Sequence, residues 1–255
     1  MRIEKLSVLL VAFAGIYSPA CVGHGAINKY VEYSGDLLPN DSTTTFDLTS
    51  SATGTASVAG GILTIDNTGP RGSLDYMRTD QLLVDDLAVF QFRTRLDSFT
   101  PTASVRPGSV VQVRWVGETP GQFLFFADSG FMRLAAGGPF TTETSIPLDT
   151  TVFHTYSIVK RGQQSVDLYL DGNLALSTPF SNFRITDIGP TTTGAFEEFQ
   201  GNPNSKTEWD FFRYAIGNDA LLLIPVPEPS TALLAITGFA TIFTRRRKSV
   251  PQDCV

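Results

Sequence analysis

The sequence predicts an all-β protein, an antiparallel β-sandwich of jelly-roll type, flanked by an N-terminal signal helix and a short hydrophobic C-terminal helix. Three observations predict it. From residue 86 to residue 176 the chain runs in short stretches of alternating apolar and polar residues, broken about every ten residues by Pro- or Gly-containing turns. Asp171-Gly172 joins two such stretches, and this dipeptide favours tight hairpins because Gly accepts the positive φ that they need. The two cysteines, Cys21 and Cys254, lie at the two ends, so the middle of the chain carries no disulfide and is held by its core.

At the N-terminus, Arg2 and Lys5 precede the apolar run Leu6–Tyr17, and Ser18-Pro19-Ala20 supplies small residues at a cleavage spacing. Residues 1–23 therefore read as a signal peptide and imply a signal peptidase, cutting after Ala20 or near Gly23 or Gly25. Cys21 follows Ala20 as a lipoprotein cysteine would, but Ser18 and Pro19 do not match the approach to such a site. The remaining organisation is a sandwich domain at 24–218, a linker at 219–225, a sorting and anchor segment at 226–248 and a tail at 249–255. Residues 24–225 hold 13 Lys and Arg against 22 Asp and Glu, a net charge of −9. That sign disfavours nucleic acid, whose phosphates require a basic surface, and suits an extracellular module.

Taken in order, His24 to Leu48 supplies one early edge strand, and residues 49–61 are small and expected to be flexible. Ile62–Asp66 reads as a short strand ending in a turn at Asn67-Thr68-Gly69-Pro70. Asp86 to Phe99 is the first long strand, with Phe90, Phe92 and Leu96 on its buried parity and Arg93 and Arg95 left in water. After a loop at 101–107, Ser109 to Glu118 places Val111, Val113 and Trp115 on one face. The turn Thr119-Pro120-Gly121 leads into a strand from Gln122 to Ala127, and Ser129-Gly130 into another from Phe131 to Ala135.

The clearest hairpin runs from Thr151 to Leu176: Phe153 to Lys160 alternates, Arg161-Gly162-Gln163-Gln164 turns, Val166 to Leu170 returns, and Asp171-Gly172 turns again. These residues resemble the middle hairpins of laminin-G-like and concanavalin A-like lectin/glucanase sandwiches, and the rhythm of strands from residue 30 to residue 218 is similar to theirs. The resemblance implies a fold shared by lectins, adhesins and hydrolases, so activity must come from the site. Beyond it, Asn182 to Glu198 reads as a long loop with a strand-like piece at Phe183 to Ile188. Trp209 to Gly217 is the closing aromatic strand, and Asn218 to Pro225 a short tether.

A hydrolase on this scaffold needs two carboxylates facing one cleft, and the glucanase-like Glu-x-Asp-x-x-Glu pattern is absent. Asp167 and Asp171 flank Tyr169, but Asp171 belongs to the turn and Asp167 reads as a solvent-facing strand residue. Glu197-Glu198 read as a solvated loop. His24 and His154 are the two histidines, too few for a zinc or triad constellation, and His154 is expected to be a partly exposed strand residue. No catalytic residue is assigned. For calcium, Asp66-Asn67, Asp85-Asp86 and Asp128 sit at strand ends where loop oxygens can converge, without EF-hand spacing. Trp115, Tyr169 and Trp209 are the candidates for stacking on sugar rings, with core packing the simpler expectation for both tryptophans.

The C-terminal segment carries the most specific signal. Pro227 and Pro229 hold Val226-Pro227-Glu228-Pro229 extended and non-helical, Thr231–Phe243 is apolar, and Arg245, Arg246, Arg247 and Lys248 form a cationic stop. The apolar run has 13 residues, which span roughly 20 Å of a hydrocarbon core about 30 Å thick. The segment is similar to the PEP-CTERM sorting signal of bacterial surface proteins. That resemblance implies recognition by an exosortase, a membrane cysteine transpeptidase, with removal of the tail near Pro227-Glu228-Pro229 and transient or lasting membrane attachment before it. Together these readings predict an exported cell-surface or extracellular-matrix protein with a non-enzymatic, glycan-binding sandwich and exopolysaccharide as its partner. A carbohydrate-active hydrolase and a ligand-free matrix component are the alternatives.

Overall fold

The computed structural model describes residues 28–42, 46–48, 54–67, 74–99, 109–116, 121–128, 130–136, 143–183, 195–201 and 205–225. The signal segment expected at 1–23, Val226 to Pro229, the apolar run and the basic cluster lie outside the described residues. Among the described residues no helix is long and apolar enough to cross a membrane.

Among the described residues fifteen strands follow in chain order: β1 (Lys29–Tyr33), β2 (Asp47–Leu48), β3 (Thr55–Ala59), β4 (Ile62–Asp66), β5 (Leu74–Asp80), β6 (Leu87–Phe99), β7 (Ser109–Trp115) and β8 (Gly121–Asp128), then β9 (Phe131–Ala136), β10 (Glu143–Pro147), β11 (His154–Arg161), β12 (Ser165–Leu170), β13 (Asn173–Pro179), β14 (Ala195–Gly201) and β15 (Ser205–Ile216). They form two sheets whose ladders are antiparallel. Sheet I runs β13-β12-β11-β6-β15-β4-β3, with β1 also paired to β15, and sheet II runs β10-β9-β8-β7-β14-β5-β2. The chain is an all-β antiparallel sandwich, as its alternation predicts.

Alternation places one parity of each strand in the core. Phe90, Phe92, Tyr156, Ile158, Trp209, Phe212 and Tyr214 from sheet I meet Val111, Val113, Trp115, Phe125, Met132 and Leu134 from sheet II. Phe92 is the hub. Its ring centroid lies 5.0 Å from Phe125 across the sandwich, 5.5 Å from Tyr156, 5.9 Å from Trp209 and 6.0 Å from Phe212. Packed aromatic rings of this kind bury large areas and hold a disulfide-free domain together. The hairpin at Asp171-Gly172 forms as its sequence predicts, with φ of 47° and 81° at its two central residues.

Four expectations change. Residues 55–59, expected to be flexible, are β3, joined to β4 by Gly60 and Gly61 at φ of 60° and 79°; two positive-φ glycines make a tight hairpin out of a segment whose small residues hide its alternation. The expected loop from Asn182 to Glu198 runs into β14 at Ala195, a central strand between β7 and β5, so the backbone of Glu197-Glu198 belongs to a sheet. Phe183 ends a 3₁₀ helix, Phe180–Phe183, in which both phenylalanines are buried, and the rest of the strand-like piece expected from Phe183 to Ile188 lies outside the described residues. The expected tether folds back as a second 3₁₀ helix, Gly217–Leu222. Its Ala220 and the following Leu223 pack on Val89, Val159 and Ala215 and cover part of the outer face of sheet I.

The chain enters and leaves the sandwich at one end. Lys29 of β1 faces Ile216 of β15 in register, and the Asn218 backbone N–H donates to Asn28 Oδ1 at 2.9 Å.

Candidate functional site

The outer face of sheet I is built by residues of opposite parity to the core. Gln91, Arg93 and Arg95 of β6 stand beside Ser157 and Thr155 of β11, and beside Arg213, Phe211 and Glu208 of β15. A bulge between Trp209 and Phe211 adds Asp210 as an extra residue, which brings both Asp210 and Phe211 to partly exposed positions. Arg93 and Arg95 are thus not left free in water. Arg93 pairs with Asp210 at 2.5 Å and Arg95 with Glu208 at 2.6 Å.

Between these two pairs lies Phe153, with the guanidinium carbons of Arg93 and Arg95 4.9 Å and 4.8 Å from its ring centroid. Phe211 carries Arg213 in the same way at 4.9 Å. Arg213 donates to Gln91 Oε1 through Nε at 2.8 Å and reaches Glu32 at 3.6 Å, while the Tyr30 hydroxyl donates to Glu32 at 2.8 Å. Gln91 in turn donates to the Ser157 hydroxyl at 2.9 Å. The result is a belt of aromatic rings, guanidinium planes, carboxylates and an amide across four strands. Such planes combine weakly hydrated apolar surface with directional donors and acceptors.

Sheet II carries a smaller polar set. The Gln122 amide oxygen accepts from Gln112 Nε2 at 2.9 Å and from Arg114 Nε at 2.8 Å, and Arg133 lies over the Phe131 ring at 4.4 Å.

The residues singled out in the sequence are distributed unevenly. Trp115 and Trp209 are both 0% exposed, so neither presents a ring to a sugar. Trp115 packs on Phe180 at 5.0 Å, and Trp209 donates its indole N–H to the Thr207 hydroxyl at 3.1 Å. Tyr169 is half-buried on the outer face, packed beside Leu223 and the Val89 cluster, and its hydroxyl accepts from Arg161 Nη2 at 3.3 Å. Asp167 is not solvent-facing. It is 6% exposed, accepting from Arg161 Nε and from the Ser177 hydroxyl, both at 2.6 Å. A carboxylate can occupy that site because each oxygen has a donor.

His154 sits at the start of β11 with both ring nitrogens engaged, Nδ1 with Asp171 Oδ2 at 2.7 Å and Nε2 with the Asp149 carbonyl at 3.0 Å. Asp171 also accepts from the Thr155 backbone N–H at 2.9 Å. These groups tie a loop to a hairpin turn. For the calcium positions, Asp85 accepts from Gln163 at 2.7 Å and Asp86 from the Leu83 backbone N–H at 2.7 Å. Among the described residues no three acidic, His or Cys side chains converge as a metal site would require.

The aromatic–arginine belt itself went unrecognised in the sequence. Its signal was Arg-x-Arg at alternate positions of a long strand, with a Phe at the head of the next hairpin. Only pairing β6 with β11 and β15 shows that the two lie together.

No protein-family model matches the chain, and no curated protein matches it. Solved structures do. A protein of unknown function from Shewanella oneidensis MR-1 is 12% identical over 76% of this chain and 88% of its own, with a TM-score of 0.52. A structure reported for endo-acting O-glycanases that members of the human gut microbiota express to initiate mucin breakdown is 14% identical over 74% of this chain and 99% of its own, at 0.50. Bacillus licheniformis β-glucanase is 13% identical over 73% and 97%, at 0.44. At these identities the likeness to the first two shows the fold alone.

Proposed function

We propose that this chain is an exported surface or extracellular-matrix protein whose sandwich binds exopolysaccharide without hydrolysing it, through the outer face of sheet I. The observation that carries the reading is Phe153, partly exposed and set between Arg93 and Arg95, each guanidinium oriented by its own carboxylate. Stacking on the ring and the guanidinium planes, with hydroxyls bonded by the charged rims, is the chemistry that recognises a pyranose chain. A neutral glycan fits best, because the domain is acidic and these arginines already have anionic partners. The carboxylates of this belt, Glu32, Glu208 and Asp210, each lie beside an arginine, an arrangement that supports binding over general acid–base work.

The C-terminal tail supplies the sorting. A PEP-CTERM signal at Val226 to Lys248, read by an exosortase-type transpeptidase after a signal peptidase has removed residues 1–23, delivers the domain to the cell exterior. Because the chain enters and leaves the sandwich at one end, a domain held in the membrane by either terminus hangs from that end.

Binding is tested by affinity electrophoresis and calorimetry against a panel of neutral and anionic polysaccharides, with reducing-end release measured in parallel. Retention by a neutral polysaccharide, weakened at least tenfold by Arg93→Ala or Phe153→Ala, supports the proposal. New reducing ends would favour the hydrolase alternative. No retention by any polysaccharide would leave a ligand-free structural component.

A further inference from the structure

We propose that β3 is a self-association edge, through which two copies of this chain join their first sheets into one. Among the described residues the sandwich has five edge strands, β13, β3 and β1 in sheet I and β10 and β2 in sheet II, and β1 carries Lys29 and Glu32. Edges are normally blunted by charge, proline, bulges or brevity. The β10 sequence contains Glu143 and Pro147, β2 has two residues, and β13 ends in Pro179 and meets β12 across a register shift. Strand β3, Thr55-Ala56-Ser57-Val58-Ala59, has no charge, no proline and an unbroken register with β4.

The geometry of the β3–β4 hairpin fixes which groups are free to pair. Ala59 faces Ile62 across the two-residue loop, and the pair closing such a loop exchanges hydrogen bonds. Alternation then directs Ser57 and Thr55 toward β4 and leaves the N–H and C=O of Ala56 and Val58 pointing outward. These four groups are self-complementary. In an antiparallel pair centred on Ser57, Ala56 faces Val58 of the second copy and Val58 faces its Ala56, so all four groups are satisfied in both copies. Thr55, Ser57 and Ala59 are exposed, and opposing them brings no like charges together. Ala56 and Val58 are partly buried against the main core, and pairing covers what remains of them. Five residues bury much less than the roughly 1,200 Å² of a stable interface, so the contact is weak in dilute solution and effective where the chain is concentrated.

The central Ser57 pair is of the non-hydrogen-bonded type, with Cα atoms about 4.5 Å apart, a separation that a disulfide can span. In the full chain carrying Cys21→Ser and Cys254→Ser, Ser57→Cys should oxidise to a covalent dimer at least tenfold faster than Ser181→Cys, an exposed position off the edge. Val58→Pro removes only an outward N–H and should abolish that advantage, while circular dichroism reports whether the fold persists. Ala56→Lys serves as a second block should Val58→Pro unfold the chain. Equal crosslinking at residues 57 and 181, or crosslinking at 57 that survives both blocks in folded protein, would overturn the proposal.

Discussion

The Lys160 ammonium on β11 donates to the Val84 carbonyl at 2.7 Å, in the connection between β5 and β6. It also reaches the carbonyls of Leu83 at 3.1 Å and Asp86 at 2.9 Å, so its three hydrogens meet three acceptors. The side chain is 0% exposed and lies over Trp115 and Phe180. Val84 and Val116 complete the anchorage, with the Val84 N–H donating to the Val116 carbonyl at 3.0 Å. One lysine in the core thus secures the segment that crosses from sheet II to sheet I.

Lys160→Met should cost about 2–4 kcal/mol in urea unfolding at neutral pH, because three buried carbonyls lose their donor. Burial pushes the ammonium down to about 7, against an ordinary value of 10.5. Above pH 7 the unfolded chain therefore binds more protons at this position, and the folded state gains stability as pH rises toward 10.5. The wild type should gain about 2 kcal/mol relative to Lys160→Met between pH 7 and pH 9. A constant difference across that range would show that the carbonyl cage holds the charged form.

Asp80 is a second buried tie between the sheets. Its carboxylate, on β5, accepts from Lys29 of β1, from Tyr214 of β15 and from Arg78 at 2.7 Å. Burial alone would raise its carboxyl, but Lys29, Tyr214 and Arg78 outweigh that and hold it below the ordinary carboxylate range. Asp80→Asn should destabilise by about 2–4 kcal/mol at pH 7. A depressed carboxyl contributes above its unfolded value and loses the contribution as pH falls through its folded value. Unfolding curves of the two proteins should therefore converge in acid.

Gly121 faces Trp115 across the β7–β8 ladder. A Cβ there would sit 2.3 Å from Trp115 Cζ2 and 2.5 Å from the Phe183 carbonyl. Gly121→Ala should cost about 1–3 kcal/mol by overpacking, read as a lower midpoint of unfolding and a shifted Trp115 emission. Polysaccharide retention by the folded fraction should not change, since Trp115 is remote from solvent.

On the proposed sorting, the unaltered protein should be released or transferred to the surface, and replacement of Pro227-Glu228-Pro229 by three alanines should leave the chain in the membrane fraction. Fractionation and immunoblotting check this, and normal release of the altered chain would refute exosortase recognition.

The proposed self-pairing edge and the proposed glycan-binding belt should be separable. Val58→Pro should leave polysaccharide affinity within twofold, and Phe153→Ala should leave disulfide crosslinking at Ser57→Cys unchanged.

Sequence by itself determined the class of fold, the hairpin at Asp171-Gly172 and the core parity of Phe90, Phe92 and Trp115, because period-two alternation and positive-φ turns are local properties. It also holds the order of proline, apolar and basic residues from Val226 to Lys248 on which the proposed sorting rests. Tertiary structure decided what depends on pairing between distant strands. It brought Phe153 to Arg93 and Arg95, set Lys160 under three carbonyls, gathered Asp80 with Lys29 and Tyr214, and made β3 an edge. Alternation places a residue on a face, but only strand order decides its neighbours, and here that order interleaves segments more than a hundred residues apart, as β15 between β6 and β4 shows.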